Sequence, residues 1–295
     1  MKKTLIIGPT YLEIFSKVKQ LPKGNEDIDI LSTEQKVSGS GYHCAKYFKE
    51  LGLDYEMISP VGEGVYAEEV LNQVNNEDIL MRKMDGYMNG CRYTLSDMNG
   101  ETSQFIVPGA EYEFDEMFVY EDSDLYDDVN NVCLFADMLC GQMTSIHDLL
   151  EVLESLDKPL VFVPNGRSND LIEGVLENIF SYQPTLIVSD TKAYYLANEY
   201  SGELRDVAKH LGEMTGGIVM IIKQGEGTFV YDQDECFIAQ NEDDVDFDKE
   251  IALYLCAKQC GVDLKNAVMY ASSYASKDSD IFDARERLKQ LIMVK

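Results

Sequence analysis

Residues 38–52 read SGSGYHCAKYFKELG, in which a glycine-rich turn is followed by an amphipathic helical pattern. Cys44, Phe48 and Leu51 recur at helical spacing and predict one buried stripe, while Gly52 predicts the end of the helix. The predicted main-sheet strand before this segment is 4–8, and the one after it is 55–59. The order therefore predicts a strand, a helix and a second strand in succession, the repeating unit of α/β folds.

The glycine-rich turn has two interpretations. Gly39 and Gly41 let the backbone approach a ligand closely, and they expose amide groups at the start of a helix that Ser40 is expected to cap. The alternative is an ordinary tight turn between a strand and a helix, which needs no ligand. Both interpretations are open from these residues alone.

The same alternation of short apolar runs and amphipathic stretches continues along the chain. It predicts βα units around a mostly parallel sheet that helices cover on both faces. The predicted strands are 4–8, 55–59, 132–136, 160–163, 185–189 and 218–222. The predicted helices are 41–51, 66–75, 144–156, 169–180 and 204–214, with three more in residues 249–295.

Two segments, 25–33 and 91–107, alternate apolar and polar residues instead. The second contains YTLSDMNGETSQFIV, in which Asn99-Gly100 is a strong hairpin signal. We expect a small antiparallel β lid, formed by about 12–36 and 88–108, standing off the main sheet of a single domain that spans residues 1–295.

Composition excludes several classes of partner. The formal net charge is −28, from 53 acidic and 25 basic residues, and it repels nucleic acid and anionic membrane surfaces. No apolar run approaches the roughly 18 residues of a membrane-spanning helix, and the chain begins with a strand pattern rather than a signal peptide. We therefore expect a cytoplasmic protein that binds neither nucleic acid nor membrane.

The seven cysteines are scattered and odd in number, which favours reduced core thiols over a disulfide framework. The three histidines are likewise dispersed, so a metal site built from His and Cys is not expected. A nicotinamide-dependent dehydrogenase is also excluded, because the turn after the first strand lacks the glycine fingerprint of that class.

Several segments resemble, in order, the ribokinase-like carbohydrate kinases of the PfkB type. They are GPTYLEIFSKVKQLPKGNEDI, SGSGYHCAKYFKELG, VGEGVYAEEVLNQV, PGAEYEF, FVPNGR, KQGEGTFVY and GVDLKNAVMYASSYAS. The resemblance implies a three-layer α/β/α sandwich with a small β lid. It also implies an ATP-dependent kinase that uses Mg²⁺ and phosphorylates a hydroxyl of a small sugar, sugar derivative or nucleoside.

The resemblance also implies roles for particular residues. Asp248 falls at the position of the catalytic base, although an Asp there is also a good helix N-cap. The residues implied to hold the substrate are Glu13, Gly39, Gly41 and His43, of which Glu13 replaces an aspartate and His43 an asparagine. Those implied to border ATP are Lys223, Gly225 and Gly227, whose sequence KQGEG taken alone predicts only a hairpin turn.

Two motifs depart from the family pattern. Residues 240–249 read QNEDDVDFDK, so Val245-Asp246-Phe247 stands where the family has a Gly-Ala-Gly anion hole. In TLIVSDTKAYYL, Ser189 and Lys192 stand where the family has Asn-x-x-Glu, which organises magnesium. Asp190 is an alternative, displaced acidic partner there, although Lys192 reverses the charge of the expected glutamate. A cation captured by the acidic cluster at 242–248 is an alternative way of holding phosphates.

These departures leave two functions open. One is a kinase with weak or altered activity, and the other is a catalytically lapsed kinase-fold protein that binds a small metabolite or a protein partner. The resemblance also suggests a homodimer formed through the exposed strands of the lid, which the sequence alone does not decide.

Overall fold

The computed structural model describes residues 2–77, 79–121, 126–166, 171, 174–198, 202–233, 235–242 and 244–293. Within them the strands are β1 (Lys3–Ile7), β2 (Tyr11–Val18), β3 (Ile30–Ser38), β4 (Tyr55–Ile58), β5 (Pro60–Glu63), β6 (Arg82–Met88), β7 (Cys91–Ser96), β8 (Thr102–Val107), β9 (Val129–Phe135), β10 (Leu160–Val163), β11 (Thr185–Ser189), β12 (Val219–Lys223), β13 (Gly227–Asp232) and β14 (Glu235–Ala239). The helices are α1 (Ser40–Leu51), α2 (Val65–Asn76), α3 (Met117–Tyr120), α4 (Met143–Leu156), α5 (Val175–Ser181), α6 (Asp190–Leu196), α7 (Leu204–Thr215), α8 (Phe247–Gln259), α9 (Leu264–Tyr274) and α10 (Ile281–Met293).

Eight strands form the main sheet, in the order β14-β13-β12-β11-β10-β9-β1-β4. The pairings from β12 through β4 are all parallel, whereas β13 and β14 add an antiparallel edge. Because parallel neighbours need a crossover, helices connect them across the faces of the sheet. The carboxyl ends of β1, β9, β10, β11 and β12 therefore meet along one edge.

The sheet has a hydrophobic core on each face. On β1, Ile6 belongs to one apolar cluster and Leu5 and Ile7 to the other, as the alternation of a strand requires. The first cluster includes Phe48 of α1, and the second includes Leu149 of α4. The layers are thus helix, sheet and helix, which confirms the predicted α/β/α sandwich.

A second sheet has the order β3-β2-β7-β8. Its strands β7 and β8 fall in the predicted segment 91–107, whereas β3 begins only at Ile30 and shares just residues 30–33 with the predicted segment 25–33. β2–β3 and β7–β8 are antiparallel hairpins, and Asn99-Gly100 lies in the turn of the second, as predicted. The hairpins join through β2 and β7, which run parallel. The small sheet is therefore mixed rather than wholly antiparallel, because its two hairpins meet side by side in the same direction.

The six predicted strands of the main sheet are confirmed, although the third begins at Val129 rather than residue 132. The predicted helix at 169–180 has its described part in α5, which begins at Val175. The first part of that prediction, together with Arg167 of FVPNGR and Asp243 of the acidic run, lies outside the described residues. Among the described residues, no helix is both long and apolar enough to cross a membrane.

Candidate functional site

A cavity of about 350 Å³ opens where the carboxyl ends of the main-sheet strands meet the second sheet. Ligands gather at this edge in open α/β sheets. The lining comes from the β1–β2 turn and β2 (Pro9, Tyr11), the start of α1 (Ser40), β7 (Arg92), the turn after β9 (Asp137), the ends of β10 and β11 (Asn165, Gly166, Ser189) and the start of α8 (Phe247).

A second cavity, of about 370 Å³, shares Asn165, Gly166 and Ser189 with the first. It adds Thr191, Lys192 and Tyr195 of α6. The two cavities are therefore neighbouring parts of one cleft, which runs along the sheet edge from the second sheet to α6.

The glycines before α1 bring two backbone segments together. Gly39 has φ 123°, and a Cβ atom there would lie 2.2 Å from the carbonyl oxygen of Pro9. A Cβ atom on Gly41 would lie 2.5 Å from the carbonyl oxygen of Gly8. Both positions require glycine because α1 abuts the turn after β1, a reason that involves no ligand.

The expected cap at Ser40 is wrong. The helix begins at Ser40 itself, and Gly39 is the N-cap, with no side-chain hydrogen bond to the first turn. The Ser40 side chain is thereby left to line the cavity. At the other end Gly52 ends the helix, as predicted, and it does so in the left-handed conformation with φ 73°.

Glu13 lies on β2 rather than in a loop after β1. It pairs in register with Lys36 of β3 and Arg92 of β7, and directly paired residues share a face. Its Oε1 accepts a hydrogen bond from Thr94 Oγ1 at 2.8 Å, and its Oε2 lies 3.6 Å from Lys36 Nζ. Glu13 is thus on the same face as Tyr11, next to the cavity, and it already has two polar partners.

Arg92 and Asp137 line the cavity and were not predicted. The Arg92 guanidinium lies over the Tyr11 ring, 4.3 Å from its centroid. Asp137 is 6% exposed and follows β9, a buried strand whose end points to the cleft. A polar residue directly after a buried strand is a usable signal for Asp137, whereas alternation along β7 gives none for Arg92.

Asp248 lies in the first turn of α8, where it is paired with His43. Their Oδ2 and Nδ1 atoms are 2.8 Å apart, and the side chains are 19% and 37% exposed. The structure therefore brings together two predicted site residues that are far apart in the sequence. The capping alternative for Asp248 is wrong, because the N-cap of α8 is Asp246, whose carboxylate accepts the backbone amide of Lys249.

Three of the described acidic residues of 242–248 have separate side-chain partners. Asp244 Oδ1 lies 2.7 Å from Lys277 Nζ. Asp246 accepts from the Tyr47 hydroxyl at 2.8 Å besides capping α8, and Asp248 contacts His43. In the described part of the chain, no group of three His, Cys, Asp or Glu residues could hold a metal. The alternative of a cation captured by this cluster is therefore not supported.

Phe247 is the residue of the altered loop that reaches the cavity. Where the resemblance implies glycine and open backbone, the chain places a benzyl side chain on the wall. The neighbouring carboxylate of Asp246 takes one of the amides at the start of α8. The start of α8, where a phosphate would bind through free backbone amides, is therefore partly occupied by side chains of the protein itself.

Ser189 and Lys192, at the altered Asn-x-x-Glu positions, belong to the start of α6. Ser189 caps the helix, and its Oγ accepts the backbone amide of Lys192 at 3.3 Å. Lys192 Nζ lies over the ring of Tyr195, 5.1 Å from its centroid. This corner presents the Lys192 cation and the Ser189 hydroxyl, with Asp190 as an acidic residue in the first turn of α6. Among the described residues no group of three acidic or His/Cys side chains is gathered there, so the corner does not fit a Mg²⁺ ion, which prefers several oxygen ligands.

The residues implied to border ATP form the turn of the β12–β13 hairpin. Lys223 pairs with Gly227 in register, and its Nζ lies 2.7 Å from Glu226 Oε1. Gly225 has φ 74° and Gly227 φ 129°, conformations that favour glycine. A Cβ atom on Gly227 would lie 2.5 Å from the Ala239 carbonyl oxygen. The hairpin geometry thus accounts for both glycines.

A buried carboxyl group links this hairpin to α8. Glu250 Oε1 accepts hydrogen bonds from the hydroxyls of Thr228 and Ser272, while its Oε2 is buried without a partner. Burial raises the pKa of Glu250. The group therefore fixes α8 against β13 and α9 from inside the core.

Comparisons with known proteins agree with this architecture. The sequence profile described as pfkB family carbohydrate kinase matches residues 1–247, which end one residue before Asp248. The uncharacterized sugar kinase YegV of Escherichia coli (strain K12) is 24% identical over 307 residues, covering 97% of this chain and 93% of that protein.

Two solved ribokinases share the fold. That of Thermotoga maritima has a TM-score of 0.79 at 17% identity and covers 99% of this chain and 100% of its own. That of Arabidopsis thaliana, complexed with ribose and ATP, has a TM-score of 0.78 at 15% identity and covers 99% of both chains. Because the family profile spans most of the sequence, we conclude that this chain belongs to the pfkB family of carbohydrate kinases.

Proposed function

We propose that the chain is a slow ATP-dependent kinase that phosphorylates a hydroxyl of a small sugar, sugar derivative or nucleoside. The observation that carries the proposal is the position of Asp248. Its carboxylate contacts His43, and the preceding residue, Phe247, lines the cavity. A carboxylate fixed next to a substrate cavity is suited to accept a proton. The second sheet is the lid over this cavity.

In the proposed reaction, the substrate hydroxyl gives its proton to Asp248 as its oxygen attacks the γ-phosphorus of ATP. The new oxygen–phosphorus bond forms while the bond from the γ-phosphorus to ADP breaks, and ADP leaves. Glu13, His43 and the backbone at Gly39 and Gly41 hold the substrate.

ATP would lie in the neighbouring cavity, and Lys223, Gly225 and Gly227 are the residues that the resemblance assigns to its border. Lys192 on the wall of that cavity is a suitable partner for phosphate oxygens. Because this corner does not fit a Mg²⁺ ion, no step of the reaction is assigned to one.

The reaction is slow because the phosphate site is altered. In acyl-transfer and phosphoryl-transfer enzymes alike, preorganised donors stabilise the charge that develops in the transition state. Here Phe247 narrows the approach to the start of α8, and the Asp246 carboxylate already accepts one amide there. A carboxylate also repels phosphate, so this end of the helix stabilises the transferring group poorly.

The first test is ADP release by the wild-type protein with ATP and a panel of sugars, sugar acids, sugar phosphates and nucleosides. We expect at least one acceptor to raise ADP release above the rate with ATP alone, and phosphorylated acceptor to appear in equal amount. A panel in which no acceptor raises ADP release would contradict the proposed transfer.

A second candidate function is ligand binding without transfer, and the Asp246 cap is the observation that favours it. Because Asp246 caps the first turn of α8, that turn does not depend on a bound phosphate for its hydrogen bonds. The first cavity, by contrast, stays open to a ligand. The two candidates differ in one result. A lapsed protein would be stabilised by an acceptor in a thermal unfolding assay, but it would release no ADP with that acceptor.

We also propose that the chain forms a homodimer through the lid. Both outer strands of that sheet expose apolar side chains, with Ile30 56% and Leu31 51% exposed on β3, and Phe105 53% and Val107 47% exposed on β8. Outer strands also present unpaired backbone groups to a second copy. Sedimentation velocity should show a dimer for the wild type and a monomer for Phe105→Asp, with Met143→Asp on α4 as the control that stays dimeric. A wild-type monomer at micromolar concentration would contradict this.

A further inference from the structure

A guanidinium group lies inside the first cavity, at the end closer to the second sheet. It belongs to Arg92 of β7 and stacks on the ring of Tyr11, which is 5% exposed. Stacking fixes the plane of a guanidinium while its N–H edge stays available for hydrogen bonds. The group is therefore oriented before any ligand arrives.

The electrostatic surroundings keep Arg92 charged. Burial lowers its pKa, but the Tyr11 and Tyr112 hydroxyls and the Asp137 carboxylate raise it by more, so the net shift is upward. Its Nε is buried and has no hydrogen-bond partner. The guanidinium also forms a hydrogen bond with the Tyr112 side chain, and a ligand in the cavity would meet the N–H groups that line it.

The neighbouring carboxylate on the same sheet does not remove this charge. Glu13 lies beside Arg92 in register, but its oxygens contact Thr94 and Lys36. Glu13 and Lys36 thus balance each other, whereas the Arg92 guanidinium interacts with Tyr11, Tyr112 and Asp137 and lines the cavity.

The rest of the cavity has a different character. Ser40, Asn165 and Ser189 are neutral hydrogen-bonding residues, and Asp137 adds an acceptor at the end of β9. Such groups suit the hydroxyls of a polyol. The cavity therefore combines a part that favours an anion with a part that favours hydroxyls.

We propose that the substrate carries an anionic group, a carboxylate or a phosphate, which Arg92 binds. The inference rests on the proposed function only for the identification of this cavity as the substrate site. The substrate class is then an acidic sugar derivative, rather than a neutral sugar or a nucleoside. Arg92 serves specificity, since an N–H fork matches the two oxygens of a carboxylate or phosphate.

The test compares matched ligands in calorimetric titrations without ATP. One series is D-glucose, D-gluconate and D-glucose 6-phosphate, and the other is D-ribose, D-ribonate and D-ribose 5-phosphate. We expect an acidic member to bind wild type at least about 10-fold more tightly than its neutral parent, since a hydrogen bond to a charged group is worth about that factor or more. The carboxylate and phosphate arms show which anion is preferred.

Variants then assign the preference to Arg92. Arg92→Gln should weaken the acidic ligand by about 10- to 100-fold and leave the neutral parent nearly unchanged. Arg92→Lys keeps the charge but loses the forked pair of N–H donors, so its affinity for the acidic ligand should lie between those of the wild type and Arg92→Gln. Lys83→Gln, on β6 and paired with Asp85 at the surface, makes the same change of net charge and should have no effect.

Equal binding of acidic and neutral members by wild type would overturn the inference, as would no binding of any acidic member. Equal weakening of both kinds of ligand by Arg92→Gln would show a structural role instead. Each of these results leaves the proposed kinase function standing, because that function is judged separately by ADP release with any acceptor. The wild-type comparison also decides the matter if a variant fails to fold.

Discussion

Replacing Asp248 with asparagine should lower acceptor-stimulated ADP release by about 10²-fold or more, the usual contribution of a positioned general base. Asparagine has nearly the same shape but accepts a proton far less readily. Its amide offers both a donor and an acceptor, so the contact with His43, 2.8 Å in the wild type, is retained whichever tautomer His43 adopts. The loss should appear in kcat, measured by coupled ADP detection.

Asp244→Asn is the matched control for this variant. It removes the same charge from the same acidic run, but its partner is Lys277 at the surface, and both side chains are more than half exposed. We expect unchanged kcat and unfolding temperature, since exposed ion pairs contribute little. If Asp248→Asn folds and keeps the wild-type rate, the assignment of the base is wrong.

The double variant Asp246→Ala/Phe247→Gly should accelerate ADP release by about 10²-fold. It restores the last two residues of the implied Gly-Ala-Gly stretch. It also frees the backbone amide of Lys249, which donates a hydrogen bond to Asp246, and it removes the Phe247 ring from the cavity wall. Restoring one preorganised donor is worth roughly 10²- to 10³-fold in enzymes where such a donor has been removed. The gain should be in kcat at saturating acceptor.

This gain has an expected penalty in stability. Loss of the N-cap costs about 1 kcal/mol, and glycine in the first turn adds roughly 0.5–1 kcal/mol. The single variants Asp246→Ala and Phe247→Gly should each give part of the acceleration. Comparing them separates the effect of removing the carboxylate from the effect of removing the ring. A folded double variant that binds ATP no better and reacts no faster than wild type would show that this loop is not what limits transfer.

The sequence predicted the fold well because the two signals that indicate it, apolar runs for strands and amphipathic patterns for helices, are both local. The apolar runs at 160–163 and 185–189 match β10 and β11 residue for residue, since buried parallel strands leave continuous apolar stretches. β5 was missed because Pro60–Glu63 contains a glycine and few branched residues. The parallel contact of β2 with β7 was also not foreseen, since it depends on how two separate hairpins meet.

The site was harder to predict because it depends on which side chains converge. The motif at 38–52 located the start of α1, but Gly39 and Gly41 turned out to accommodate Pro9 and Gly8. The pairing of His43 with Asp248 joins α1 to α8 and leaves no trace in the local sequence. The place of Arg92 in the site was not predicted either, because its contact with Tyr11 likewise joins two separate elements.

The parallel pairing of β2 with β7 also has a consequence for biosynthesis. Between these two strands the chain makes β3, α1, β4, β5, α2 and β6, so β2 emerges from the ribosome long before its inner neighbour. At the roughly 5–20 residues per second of translation, the inner edge of β2 waits several seconds for β7. During that interval the β2–β3 hairpin presents an unpaired edge, which exposes the nascent chain to mispairing.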